Sequence, residues 1–220
     1  MKSSGRNISL TSYDDLFSTE EIREARAREQ IQQIPLPELY PFKDHPFRVV
    51  DDDRMMETVE SIKEYGVLVP AIARPLEEGG YEIIAGHRRK RACELAGLDT
   101  MPVIVRDLDD DEAVIIMVDS NLQRENILPS ERAKAYQMKL EAIRRKAGRP
   151  SKENSAQFEQ NFQGKTSVEI LAEHSPDSRP QIQRLIRLNS LEQPLRDKVD
   201  SGELAFTPAV ELSYLKPEEQ

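Results

Sequence analysis

The sequence predicts an α/β domain followed by an all-α domain built around a helix-turn-helix. Three observations point there. Up to about residue 128, short apolar runs with strand character alternate with segments of helical spacing. Residues 148–164 are rich in Ser, Asn and Gln and carry little apolar content, which reads as a linker. Beyond it every segment has helical spacing, and 166–188 holds two short amphipathic helices around a tight turn.

Taken in order, residues 1–18 are polar and aperiodic, and Thr19-Glu20-Glu21 can open a short helix running to about Gln33. Residues 1–33 therefore read as a flexible tail with a short helix. Ile34-Pro35-Leu36 is a strand entry, followed by a proline-punctuated loop through Phe47. From Asp52 a helix carries Met55, Val59 and Ile62 on one face and stops at Gly66. The stretch Val67 to Arg74 is extended around Pro70, Gly79-Gly80 turns the chain, and Tyr81–Ile84 returns as a second strand of a hairpin. A helix opens at Gly86 and closes at Gly97, and Met101–Arg106 is another strand. Asp109 begins a helix with Val114, Ile115 and Val118 inward, reaching about Gln123. Residues 34–128 thus form the α/β domain, 129–147 a connecting helix starting at Pro129, and 165–220 the all-α domain, with helices at 167–174, 178–188, 190–200 and from about Pro208.

With 220 residues, 38% of them hydrophobic and 32% charged, the chain is globular with large solvated faces. It has neither an apolar run long enough for a membrane span nor a secretory leader, so a cytoplasmic location is expected. Its single cysteine, Cys93, can form no internal disulfide, which fits a reducing compartment and reads as core. The formal charge of −9 argues against a generic nucleic-acid coat, but the basic residues cluster. Arg88 to Arg91 form one group, Arg144, Arg145, Lys146, Arg149 and Lys152 a second, and Arg179, Arg184 and Arg187 a third with no acid between them.

Two clusters coincide with motifs. In Gly86-His87-Arg88-Arg89-Lys90-Arg91-Ala92 a glycine and two arginines sit at a helix start, where free backbone N–H groups and guanidinium forks hold phosphates. In the helix-turn-helix, Val168, Leu171 and Ala172 face inward on the first helix, and Ile182, Leu185, Ile186 and Leu188 on the second. Ser178 is an N-cap candidate and Pro180 suits an early helical position. The outer face then shows Arg179, Gln181, Gln183, Arg184 and Arg187, side chains that read base edges or clamp phosphates. A phosphate pocket upstream of a DNA-reading helix suggests a DNA-binding protein governed by a nucleotide. Gly148-Arg149-Pro150 reads as a helix stop rather than a minor-groove hook.

These blocks, with Ser120-Asn121-Leu122-Gln123-Arg124 between them, resemble the ParB family of DNA-partition proteins over about Ile34 to Leu215. The family pattern Gly-Glu-Arg-Arg-x-Arg-Ala corresponds to Gly86-His87-Arg88-Arg89-Lys90-Arg91-Ala92, and Glu-Asn-x-Gln-Arg to Ser120-Asn121-Leu122-Gln123-Arg124. The resemblance implies a sulfiredoxin-like N-terminal fold and a helical DNA-binding domain. It also implies CTP and Mg²⁺ as ligands, and a clamp that loads at a palindromic centromere-like site and slides on double-stranded DNA. Partners implied are DNA, a ParA-type ATPase reached through a basic N-terminal peptide (Lys2, Arg6), and a second copy of the chain. By similarity the nucleotide site comprises Gly86, His87, Arg88, Arg89, Ser120, Asn121 and Arg124, with Asn121 near the metal, and Ser178 joins the outer-face residues at the DNA.

Three positions depart from the family pattern. His87 and Ser120 replace acids, and Val69 stands where glutamine is usual before Pro70. Magnesium prefers carboxylate oxygen, so binding without efficient hydrolysis is expected unless Asp119 substitutes. No catalytic residue is assigned. The chain ends at Pro217-Glu218-Glu219-Gln220, before the family's C-terminal dimerisation domain, which is expected to be absent. Two other readings compete: an operator-binding regulator without a nucleotide switch, and a sulfiredoxin-like or phosphotransferase enzyme. The enzyme reading is disfavoured because His87 stands where sulfiredoxin needs a cysteine.

Overall fold

A computed structural model describes residues 31–124, 127–148, 166–173 and 175–220. The expectations for residues 1–30 of the N-terminal tail, for 149–164 of the linker and for the helix end at 174 lie outside these. The first strand, β1 (Ile31–Pro35), starts earlier than the sequence suggests: Ile31–Gln33, read above as the end of a helix, pair antiparallel with β5 (Thr100–Val105) in the register Ile31↔Ile104 and Ile34↔Met101. A partner some seventy residues away overrides local helical preference here. A short 3-10 turn at Leu36–Glu38 leads to β2 (Leu39–Tyr40).

Helix α1 (Asp53–Tyr65) is bounded as its sequence dictates. The Asp52 carboxylate accepts the Met55 amide at 2.9 Å, and Gly66 closes the helix at φ 73°. Strands β3 (Ala71–Pro75) and β4 (Tyr81–Ala85) form the expected antiparallel pair, and β3 runs parallel to β5. The five strands lie in the order β1-β5-β3-β4-β2, a mixed sheet. Helix α2 (His87–Ala96) leaves directly from β4 through Gly86.

Strand β4 is covered on both faces, since Ile83 and Ile84 are each fully buried while their side chains alternate. Ile83 joins a core with Met55, Val59 and Ile62 of α1, Ala92 and Cys93 of α2, and Met101 and Val103 of β5. Ile84 belongs to a second core with Phe42 and Phe47 of the loop and Met117 and Val118 of α3 (Asp110–Leu122). That second core continues through Tyr136 and Leu140 of α4 (Pro129–Gly148) to Ile170 and Leu171 of α5 (Ser167–Glu173). It ends among Ile182 and Leu185 of α6 (Arg179–Arg187), Val199 of α7 (Gln193–Asp200) and Val210 of α8 (Phe206–Leu212). One apolar interior therefore joins the sheet's second face to the helical segment, with α4 at its centre.

Side-chain pairs fasten α4 on both sides. Toward α3, Lys139 pairs with Asp119, Arg145 with Asp111 at 2.7 Å and Lys146 with Glu112 at 2.8 Å. Toward the turn between α5 and α6, Asp177 accepts from the Tyr136 hydroxyl at 2.5 Å and from Arg132 at 2.9 Å.

Candidate nucleotide and nucleic-acid sites

The anion site begins with backbone geometry. Gly86 caps α2 at φ 116°, a conformation that β-carbons disfavour, and a Cβ there would stand 2.9 Å from the Ala71 Cβ. Only glycine lets β4 turn so sharply into α2 while packed on β3. The turn leaves the first-turn N–H groups of α2 without intrahelical partners, and these are donors for an anion.

The arginines are held around that start. Arg88 donates to the Asp52 carboxylate at 2.9 Å and to the Val50 carbonyl at 3.3 Å. Arg89 donates through Nη1 to the carbonyls of Val69 and Pro70, at 2.6 and 2.5 Å. Arg91 points elsewhere and pairs with Asp51 at 2.6 Å. Among the described residues no carboxylate pairs with Arg89 or Arg124. Burial holds both below the ordinary arginine range, and at Arg124 the charges of Arg88 and Arg89 add to that while Glu131 opposes it. The pocket therefore concentrates uncompensated positive charge. Beside Arg89 a groove of about 350 Å³ runs between α1 and the 66–69 loop, lined by Thr58, Ser61, Ile62, Val67 and Val69 among others.

From α3, Asn121 turns inward. It is 3% exposed, its Nδ2 donates to the Met117 carbonyl at 2.8 Å, and its Oδ1 is buried with no partner among the described residues. Ser120 spends its hydroxyl on the same Met117 carbonyl at 2.9 Å. Asp119, the candidate substitute for a missing acid, is engaged by Lys139. The described residues bring together no set of three histidine, cysteine or acidic side chains able to hold a metal.

His87 is built into the wall. Its Nε2 accepts the Phe42 amide at 3.2 Å, and its ring lies 3.9 Å from that of His45 at an interplanar angle of 40°. Burial, the neighbouring His45 and the cations Arg124 and Lys90 push its pKa down to about 3, so it is neutral at physiological pH. His45 escaped the sequence reading. Nothing in the spacing of two isolated histidines forty-two residues apart announces a stacked pair.

The helical segment places the other candidates. Ser178 sits at the N-cap of α6 with the right backbone, but its side chain makes no capping bond. Arg179 pairs with Glu169 of α5 at 2.7 Å and remains exposed. Gln181 is half-buried, and Gln183 is exposed beside Gln137 and Arg144 of α4. Arg184 donates to the Thr207 hydroxyl at 3.1 Å with its guanidinium 5.3 Å from the Phe206 ring. Arg187 is held more firmly, donating to the Ser213 carbonyl at 2.6 Å over the Tyr214 ring. Residues 206–214 thus close on the C-terminal half of α6 and leave its N-terminal end open, a contact not foreseen in the sequence.

A mixed sheet whose β4–α2 turn gathers arginines at a helix start, joined through one long helix to a basic helix pair, is a candidate ligand-binding module carried with a helical segment. Comparison gives it a family. The ParB N-terminal domain matches residues 20–122. The nucleoid occlusion protein of Listeria monocytogenes serotype 4a is 30% identical over 192 residues, which are 87% of this chain and 60% of that protein. The probable chromosome 1-partitioning protein ParB of Deinococcus radiodurans is 40% identical over 122 residues, covering 56% and 42% of the two chains. Among solved structures, the C-terminally truncated chromosome-partitioning protein ParB of Caulobacter crescentus, complexed to the centromeric parS site, is 27% identical. It covers 86% of this chain and 88% of its own, with a TM-score of 0.53. Residues 20–122 are thus a ParB N-terminal domain, and the chain spans about 60% of the length of the Listeria relative.

Proposed function

We propose that the chain is a DNA-binding partition protein whose N-terminal domain binds a nucleoside triphosphate, CTP by its family resemblance, and whose α6 reads a palindromic site. The observation that carries the nucleotide half is the gathering of Arg88, Arg89 and Arg124 at the glycine-started helix, two of them without acid partners among the described residues. Gly86 admits the phosphates, Arg88 and Arg89 neutralise them, and Arg124 supports them from the end of α3. The groove beside Arg89 has room for a base.

Magnesium fits this site in a limited way. The orphaned Asn121 Oδ1 is a hard oxygen ligand, and Mg²⁺ ordinarily fills its remaining positions with phosphate oxygens and water. When bound, the ion would screen charge between phosphates. With His87 neutral, Ser120 bonded to Met117 and Asp119 paired with Lys139, none of these three described side chains is placed to orient an attacking water, which supports slow turnover.

Support for the DNA half comes from the outer face of α6 and from the Caulobacter ParB complexed to parS. Arg179 and Gln183 on the exposed face of α6, together with Arg184 held beside Phe206, are the base and phosphate contacts, Gln181 and Ser178 flank them, and Arg187 fixes the helix against Tyr214. Self-association and a ParA-type ATPase acting on the N-terminal peptide belong to the same reading, as does association with the nucleoid. No described helix is long and apolar enough to cross a membrane. Replacing Arg179, Gln183 and Arg184 together by alanine tests the interface: specific binding to a parS-like palindrome should be lost. Retained specificity in that triple variant would mean that another element reads the site.

A further inference from the structure

The His45–His87 pair sits against the proposed nucleotide site and has its own chemistry. His45 Nδ1 lies 2.7 Å from the Phe47 carbonyl, and since a carbonyl only accepts, Nδ1 carries the proton. His45 Nε2 is then an acceptor, and it is buried with no partner among the described residues. His87 is fixed the opposite way: its Nε2 accepts the Phe42 amide, so it cannot be protonated there without breaking that bond. Of the two stacked rings, His45 alone has a nitrogen free to take a proton. The centroid of its ring lies 3.9 Å from that of the His87 ring, and His87 is the first residue of α2, the helix whose start would hold the phosphates.

We infer that His45 is a proton-linked anion ligand of this pocket: when a triphosphate binds at the α2 start, His45 takes a proton from solvent at Nε2 and donates it to a phosphate oxygen. The inference rests on the nucleotide reading above. The charged groups bordering the ring explain why the proton arrives only with the anion. Burial first, then repulsion from Arg124 after α3 and Lys134 on α4, hold His45 below the usual histidine range without ligand, against the raising hydrogen bond to the Phe47 carbonyl. Among the described residues no carboxylate offsets this: Glu131 of α4 accepts the Arg48 amide, and Glu82 of β4 accepts from Lys43 and Arg74. A polyphosphate reverses the local field, raises the His45 pKa, and couples binding to proton uptake. The sign follows. Affinity should strengthen as pH falls toward 6, by up to about tenfold per pH unit for one linked proton.

The test is calorimetry of CTP with Mg²⁺ on the whole chain, near pH 7, in two buffers of different ionisation enthalpy. The wild type should take up a fraction of one proton more than His45→Gln, a difference that cancels protons belonging to the nucleotide. The His45 ring resonance of the wild type, followed by NMR across pH with and without CTP, gives the same answer without a variant and should show a raised pKa in the complex. Equal proton uptake in both proteins, or an unshifted resonance, overturns the inference while leaving the nucleotide site standing. A wild type that binds no nucleotide overturns the site and the inference together.

Discussion

Arg89 and His87 are neighbours in sequence with different roles in the fold. Arg89 reaches out of α2 to hold the Val69–Pro70 backbone, while His87 accepts from Phe42 and pins the opposite loop. Protonation of His87 would cost that bond. Its pKa of about 3 lies well below the unfolded value near 6.5, so between those limits the unfolded chain binds the extra proton. Stability therefore falls as pH drops from 7 toward 5, and thermal melts should show a smaller fall for His87→Gln than for the wild type. Hydrolysis belongs to this scale as well. Because Asp119 is committed to Lys139, it does not replace the acids missing at 87 and 120. Combining His87→Glu with Ser120→Glu should raise CTP turnover, measured as phosphate release. A wild type already turning over faster than that double variant would remove this explanation.

Elements differ in how far their sequence announces them. The limits of α1 and α2 were legible because their signals are local: Asp52 caps one, Gly66 and Gly97 close them, and Gly86 opens the other. Strand β1 was not, because Ile31–Gln33 take their conformation from β5. The place of Arg88 and Arg89 in the first turn of α2 was legible for the same local reason, whereas the His45 and Tyr214 contacts depend on tertiary approach. Gly86 offers the test at this scale. Gly86→Ala forces a β-carbon into φ 116° against Ala71, and should cost about 1–3 kcal/mol in chemical denaturation, as a strained backbone position does. By contrast, Ile182→Ala removes a fully buried side chain from the α5–α6 packing and should cost about 2–5 kcal/mol.

At the scale of the whole molecule, α4 is the structural link between the two candidate sites. It carries Lys139 against the helix that bears Asn121, and Tyr136 against the turn before α6. A change at the proposed nucleotide pocket therefore has a packed route to α6, the helix proposed to read DNA, although α3 and α4 would have to move together for it to be used. The net charge of −9 sets the DNA side in context. Binding must rely on the local basic face, and each lost base-reading arginine should cost about 1–3 kcal/mol of specific affinity in a titration.

The central claim is that the arginine-lined start of α2 is a triphosphate site. Thermal unfolding with and without CTP and Mg²⁺, on the wild type and on Arg89→Ala, tests it directly. At about one hundred times Kd a ligand adds about 2.7 kcal/mol to a folded protein, which raises Tm by several degrees. The wild type should show that rise and Arg89→Ala should show none, each compared with its own ligand-free melt because Arg89 also braces the 69–70 backbone. An equal rise in both proteins, or none in the wild type at saturating CTP, would contradict the assignment.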